Sequence, residues 1–302
     1  MIWEVIALTV KVKIGECELE MNGPYLTELR DSNDILDDEA KLRERLKEDG
    51  YLFIRDFHNR SIVQQARLAF LQRINEQGKL MPGTALEEGV INASNKAAGF
   101  QGSENQPQEL LDVVNSESTM QFFERFLGGE CITYDYKWVR AVETGGFTGA
   151  HYDIVYMGRG TKNLYTLWTP LDDIPYELGG LAILLGSQHF DRIRETYGQM
   201  DVDRDRVDGW FSSDPLELIN RYGGRWATAE FRAGDAILFG MYTMHGSLTN
   251  QTNRYRFSAD TRYQLKSEPV DERWIGVKPK GHYGWHAGPT VSMEDARAKW
   301  GV

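Results

Sequence analysis

Apolar positions recur along the chain in two periods, and the period changes near residue 130. From Asp37 to Gly50 the run Asp-Asp-Glu-Ala-Lys-Leu-Arg-Glu-Arg-Leu-Lys-Glu-Asp-Gly reads as a helix, with acidic residues at its start and Gly50 at its stop. Tyr51–Phe57 is an apolar run of strand length. Ser61 can cap a second helix reaching Gln77, because Ile62, Ala66, Ala69, Phe70 and Ile74 fall on roughly one face. Residues 78–108, rich in Gly, Asn, Ser, Gln and Pro, predict a long loop. Leu110–Leu127 predicts a third helix, closed by Gly128 and Gly129. Ahead of all these, Val10–Leu19 alternates as an edge hairpin would.

Beyond that point the helical period gives way to short apolar runs: Cys131–Val142, Leu164–Leu171, Leu181–Leu185, Thr228–Phe231, Ala236–Phe239 and Tyr255–Leu265. Gly and Asp turn signals separate them, which is the pattern of a sandwich or barrel. A polar insert, Asp191–Tyr222, interrupts the series, and a short helix is expected after Ser292. The expected architecture is mainly β with α: a double-stranded β-helix (a jelly roll of cupin type) with packed N-terminal helices. It partitions into an N-terminal extension (1–36), a helical support layer (37–130), the β core (131–265) and a C-terminal extension (266–302), all in one domain.

Composition narrows the function. The 302 residues carry a net charge of −11, which argues against a nucleic-acid binder, since that needs a basic face. Cys17 and Cys131 are far apart and form neither a disulfide framework nor a zinc motif. No segment reaches the 18 or so apolar residues of a membrane span, and Glu4 interrupts the apolar N-terminus, so a cytoplasmic protein with no membrane partner is expected.

The chemistry concentrates in Gly149-Ala150-His151-Tyr152-Asp153. In extended chain, residues two apart point to one side, so the imidazole and the carboxylate can meet one ion. On its own a His-x-Asp pair is common in proteins that bind no metal. A third ligand is available at His245, which follows the strand Ala236–Phe239 and precedes Gly246, where the chain is expected to turn. Two imidazoles and one carboxylate leave open positions on the ion, the arrangement of oxygen-activating iron(II) sites. Arg256 lies eleven residues after His245, and on an adjacent strand it would point into the same cavity, its fork suited to a carboxylate. Lys137 shares a predicted strand face with Val139 and Ala141 and could contact an anionic ligand, or equally be a solvated edge lysine.

In order along the chain stand His151-x-Asp153, Trp168-Thr169-Pro170-Leu171, Gly179-Gly180-Leu181 through Gly186-Ser187-Gln188-His189, Gly234-Asp235, His245-Gly246-Ser247 and Arg256-Phe257-Ser258. This series resembles the phytanoyl-CoA dioxygenase (PhyH-like) family of iron(II)/2-oxoglutarate oxygenases over about residues 40 to 265. The resemblance implies that His151, Asp153 and His245 are the catalytic iron ligands and that Arg256 grips the distal carboxylate of 2-oxoglutarate. Trp168, Ser247 and Ser258, with Lys137, would line the cosubstrate pocket. Dioxygen would be the second cosubstrate, and a small-molecule metabolite the substrate. Asp153 stands where related halogenases have a small residue, so hydroxylation, or desaturation, is the implied outcome. The sequence departs from the family in having Gln188 between Ser187 and His189, and His189 is read as structural. His282 and His286 are read as loop histidines. Loops 78–108, 154–163 and 191–225 are expected to build the substrate pocket, with Arg159, Lys162, Arg194 and Arg225 available to an anionic substrate. The protein is expected to act as a monomer or homodimer. Two other readings are open: a catalytically inactive cupin-like binding or sensing module, and an isomerase using another divalent ion.

Overall fold

The computed structural model describes residues 10–96, the backbone of 99 and 100, 105–284 and 288–302. Its strands are β1 (Lys11–Ile14), β2 (Cys17–Glu20), β3 (Leu26–Glu28), β4 (Tyr51–Ile54), β5 (Gly99–Phe100), β6 (Cys131–Thr133) and β7 (Trp138–Val142), then β8 (Tyr165–Pro170), β9 (Leu181–Leu184), β10 (Trp226–Thr228), β11 (Ala236–Gly240), β12 (His245–Ser247) and β13 (Arg256–Leu265). They form two facing sheets of a jelly roll and a small hairpin. The large sheet runs β4-β11-β8-β13-β7-β5, with β6 also on β13; the small one runs β12-β9-β10-β3, and β1 pairs with β2. The hairpin expected within Val10–Leu19 is this last pair. Because β3 and β4 belong to the two sheets, the β core begins well before residue 131.

The helices are α1 (Glu39–Asp49), α2 (Arg60–Glu76), α3 (Gln108–Val114), α4 (Glu117–Leu127), the one-turn α5 (Ile154–Met157), α6 (Asp191–Glu195), α7 (Val202–Asp205), α8 (Pro215–Tyr222) and α9 (Met293–Trp300). Asp38 caps α1 through the Lys41 N–H, and Gly50 ends it in the left-handed region at φ 83°. Asn59, not Ser61, caps α2, accepting from the Ser61 N–H. The helix expected over Leu110–Leu127 is two: the chain breaks at Asn115, and Ser116 caps α4.

Period-two alternation sorts the large sheet. Its outer face, with Leu52, Ile54, Leu167, Leu238 and Tyr263, packs on Leu42, Phe122, Phe123 and Phe126 of α1 and α4. Val139, Ala141, Phe257 and Ala259 pack on Val63, Phe70 and Leu110 of α2 and α3. Between the sheets, Phe53, Trp168, Ile237 and Phe239 meet Leu181, Ile183 and Ala227. β13 is buried on both faces, and its inner residues are Arg256, Ser258, Asp260 and Arg262. A row of polar side chains in the gap between two apolar sheets is costly to desolvate, and so marks where the fold carries chemistry.

Candidate active site

His151 and His245 meet because the backbone pairs them. The His151 N–H donates to the His245 carbonyl at 3.0 Å, and the His245 N–H donates back at 3.1 Å. This two-residue antiparallel bridge sets both imidazoles on one side, with ring centroids 4.2 Å apart. Gly246 lies inside β12 and not at a turn, since a Cβ there would meet the Thr148 carbonyl oxygen at 2.7 Å. Asp153 has helical backbone, at φ −65° and ψ −26°, and starts α5. The extended His151–Asp153 geometry expected from spacing therefore holds only as far as His151.

The far atom of each ligand is already bonded. Nδ1 of His151 lies 2.9 Å from the Gly149 carbonyl, and Nδ1 of His245 lies 3.0 Å from that of Thr243. Both Nε2 atoms are thereby turned inward, each 3.8 Å from Oδ1 of Asp153. Oδ2 of Asp153 accepts from the Thr166 hydroxyl at 2.5 Å and lies 3.1 Å from the Arg262 guanidinium. The three ligating atoms lie within 4.8 Å of one another. Burial pushes the His151 imidazole down to about 3, with His245 adding to the effect, and burial also lowers His245. Burial alone would raise the Asp153 carboxyl, but Arg262, His245 and His151 reverse this and hold it well below the usual range. Two neutral imidazoles and an ionised carboxylate are the protonation states in which these residues bind a metal. Tethered outer atoms fix the tautomer and aim of each ligand, so the residues present fit a divalent iron.

The inner face of β13 continues from this cluster. Arg256, 1% exposed, donates Nη1 to the Ser258 hydroxyl at 2.5 Å, while its Nε is buried without a partner. Among the described residues no carboxylate pairs with it. Asp260 is engaged instead by Arg140, Nε to Oδ2 at 2.7 Å. Burial, with Arg140 adding, lowers Arg256 to about 10. Trp168 lies opposite Asp260 on the same face, and Ser247, on the His245 face of β12, accepts from the Thr148 N–H at 2.9 Å.

Lys137 does not join them. The strand expected over Cys131–Val142 breaks at Tyr134–Lys137, and the lysine shares its parity with Val139 and Ala141, which face the helices. Its Nζ donates to the Thr133 hydroxyl at 2.7 Å and the Tyr134 carbonyl at 2.5 Å. Burial pushes this ammonium down to about 7 from 10.5, against the opposing pull of Asp135. Between those two values the unfolded chain holds a proton that the folded one lacks, so this residue makes stability climb with pH across that window. Below about pH 7 the cost of the buried charge is fully present. Lys137→Met is expected to abolish the climb and to raise the melting temperature at neutral pH, with the 2-oxoglutarate requirement unchanged. Thermal melts against pH check it, and a shifted KM for 2-oxoglutarate would return Lys137 to the site.

In front of the ligands opens a cavity of about 1710 Å³, lined near them by Trp138, Arg140, Tyr156, Met157 and Arg262. Farther out it is walled by the loop before α8, including Trp210 and Phe211, and by the C-terminal segment, including His282, Met293 and Arg297. The C-terminal contribution carries no motif and was missed in the sequence. The described part of loop 78–108 supplies none of the lining. Arg159, Lys162, Arg194 and Arg225 stay outside it: Arg159 is forked onto Asp201, Lys162 and Arg225 donate to backbone carbonyls, and Arg194 lies over the Tyr242 ring. Arg262 was legible in principle, six residues after Arg256 on one strand and hence on one face. His189 is exposed, and the buried member of its motif is Ser187, whose hydroxyl accepts the Met244 N–H. His282 Nδ1 lies 2.9 Å from Asp203, and His286 falls outside the described residues.

Two inward imidazoles and one carboxylate between the sheets of a jelly roll could hold a metal ion in a facial-triad arrangement. The chain belongs to the phytanoyl-CoA dioxygenase (PhyH) family, whose model matches residues 46–258. The 1-deoxypentalenic acid 11-beta-hydroxylase of Streptomyces exfoliatus is 24% identical over 263 residues, covering 80% of this chain and 87% of that protein. Its namesake from Streptomyces arenae is 24% identical over 258 residues, covering 78% and 85%. Among solved structures, the non-haem alpha ketoglutarate dependent epimerase SnoN from nogalamycin biosynthesis superposes with a TM-score of 0.53 at 15% identity, over 80% of this chain and 86% of that one. SnoN has also been solved with Fe3+, alpha ketoglutarate and nogalamycin RO. EctD from S. alaskensis gives 0.52 at 18% identity, over 84% and 86%. Among the described residues no helix is long and apolar enough to cross a membrane.

Proposed function

We propose that this protein is an iron(II)/2-oxoglutarate-dependent oxygenase that hydroxylates a C–H bond of a bulky small-molecule metabolite. The observation that carries the reading is Arg256, a buried guanidinium with no carboxylate partner among the described residues, on the strand that also supports Asp153 through Arg262. Arg140, Arg256 and Asp260 together leave one uncompensated positive charge between the sheets, and a carboxylate from outside would offset it. His151, Asp153 and His245 would hold the iron by Nε2, Oδ1 and Nε2. Arg256 and Ser258 would take the distal carboxylate of 2-oxoglutarate, with Trp168 and Ser247 as walls. When bound, iron with 2-oxoglutarate and dioxygen supplies the oxidant that converts C–H to C–OH, the keto acid leaving as succinate and carbon dioxide.

The chain's own contribution is to position and to exclude water. Trp138, Met157, Trp210, Phe211 and Met293 give the cavity apolar and aromatic walls among polar groups that include Arg140, Asp208, Ser212 and Glu217, and its volume of about 1710 Å³ has room for a bulky carbon skeleton that carries polar groups. The relatives named as 1-deoxypentalenic acid 11-beta-hydroxylases support the same reaction class. The test is succinate formation from 2-oxoglutarate by the iron-loaded protein, with and without candidate substrates. Iron- and dioxygen-dependent succinate is expected. None under any condition, or turnover that persists without dioxygen, rejects the reading.

A further inference from the structure

We infer that Tyr156 is a specificity-determining residue whose hydroxyl docks an acceptor oxygen of the substrate, a carbonyl, hydroxyl or carboxylate on its carbon skeleton. The inference rests on the oxygenase reading and goes beyond it. Tyr156 lies in α5, three residues after Asp153, and lines the cavity. Its ring stands edge-on to His151, centroids 5.5 Å apart at 86°, and against His282 at 5.8 Å. The phenol is therefore beside the metal ligands yet is not one of them. Its hydroxyl has no hydrogen-bond partner among the described residues, whereas the fully buried Tyr134, Tyr152, Tyr197 and Tyr263 all bond theirs to protein.

A second observation shows that this position is built. A Cβ on Gly209 would come within 1.9 Å of the Tyr156 hydroxyl oxygen, so only glycine lets the phenol stand where it does. Gly209 is itself fixed, since its carbonyl accepts the Tyr197 hydroxyl. A donor without a protein partner beside the His151, Asp153 and His245 cluster discriminates between substrates, because one that lacks an acceptor there excludes water and leaves the donor unsatisfied. Trp138, Met157, Phe211 and Met293 on the walls offer no acceptor, and the polar side chains of the lining, Asp208 among them, make no hydrogen bond to this hydroxyl.

Tyr156→Phe removes one oxygen and keeps the ring packed on His151 and His282. The protein loaded with metal and 2-oxoglutarate is titrated without dioxygen by calorimetry, using a panel of polycyclic acids, ketones and alcohols alongside hydrocarbons of the same skeletons. Substrate-stimulated succinate release is then measured in air. Oxygenated members are expected to bind and to stimulate the wild type, and hydrocarbons not. In Tyr156→Phe the affinity for the effective members should fall about tenfold, the strength of one net hydrogen bond. The ratio of hydroxylated product to succinate should fall with it. Gly209→Ala, which displaces the phenol without removing it, should reproduce the loss. Hydrocarbons as effective as their oxygenated counterparts, no effective oxygenated member, or a Tyr156→Phe protein with unchanged affinity and coupling overturns the inference. Absence of any succinate from the wild type instead rejects the oxygenase reading.

Discussion

Asp153→Asn is expected to abolish metal binding and succinate formation while leaving the folded protein nearly as stable as the wild type. Asparagine keeps the shape of the side chain but not its charge or its symmetry. Thr166 and Arg262 both donate to the position of Oδ2, so they demand an acceptor there and draw the amide oxygen to it. The amide NH2 is then left facing the two Nε2 atoms, a donor where the ion needs a lone pair. Loss of an outer partner of a metal ligand costs roughly 10- to 100-fold in affinity or activity, and loss of the anionic ligand itself should exceed about 1000-fold. Asp153→Ala is the less informative variant, because it also strands the Arg262 guanidinium, which is 3% exposed. Breaking a buried pair that way costs about 3–5 kcal/mol, so lost activity would be confounded with lost fold. Calorimetric titration with Co2+, melting curves and the succinate assay separate the two. An asparagine variant that binds metal and turns over within tenfold of wild type removes Asp153 from the ligand set.

What the sequence made legible were features with a local cause. α1 was bounded in the sequence by acidic residues at its start and Gly50 at its stop, and the structure makes Asp38 the cap and Gly50 the left-handed end. The series of short strands was visible because alternation and Gly or Asp turns are local signals, and the metal cluster followed from spacing and residue type. The misses share a non-local origin. The break at Asn115 is invisible in an apolar period that continues across it, and Ser116 becomes a cap only once α4 turns to pack on β13. The parity of Lys137 depended on whether one strand or two span residues 131–142, which is settled by pairing with β13. The far wall of the cavity comes from a C-terminal segment without any motif. It is held over the ligands by contacts 80 to 86 residues away in sequence, such as the Arg297 fork onto Glu217 and its bond to the Phe211 carbonyl. Arg262 shows the intermediate case: strand parity could place it on the inner face, but only the fold reveals that it reaches Asp153.

Arg256→Met is expected to make the protein bind 2-oxoglutarate far more weakly and, without ligands, to make it more stable. Both effects come from one cause. The wild-type guanidinium is buried and bonded through one nitrogen to Ser258, and burial already depresses its pKa to about 10. That is an unfavourable state for a cation, held by the fold for a carboxylate that arrives from outside. Losing a forked, charge-assisted pair should cost about 3 kcal/mol of cosubstrate binding, which is roughly a hundredfold in KM. An apolar side chain of similar length removes the desolvation cost and leaves Arg140 and Asp260 as a neutral pair, a gain of about 1–3 kcal/mol by analogy with buried ionic groups replaced by hydrophobic ones. For a chain of this size that is a rise of about 2–6 °C in melting temperature. Saturating metal and 2-oxoglutarate should reverse the order, because ligand at 100 times its Kd stabilises the wild type by about 2.7 kcal/mol and the variant hardly at all. The two melting curves, each measured with and without ligands, should therefore cross. A variant that melts lower than wild type without ligands and keeps its KM for 2-oxoglutarate would mean that Arg256 serves the fold, with no part in holding the keto acid.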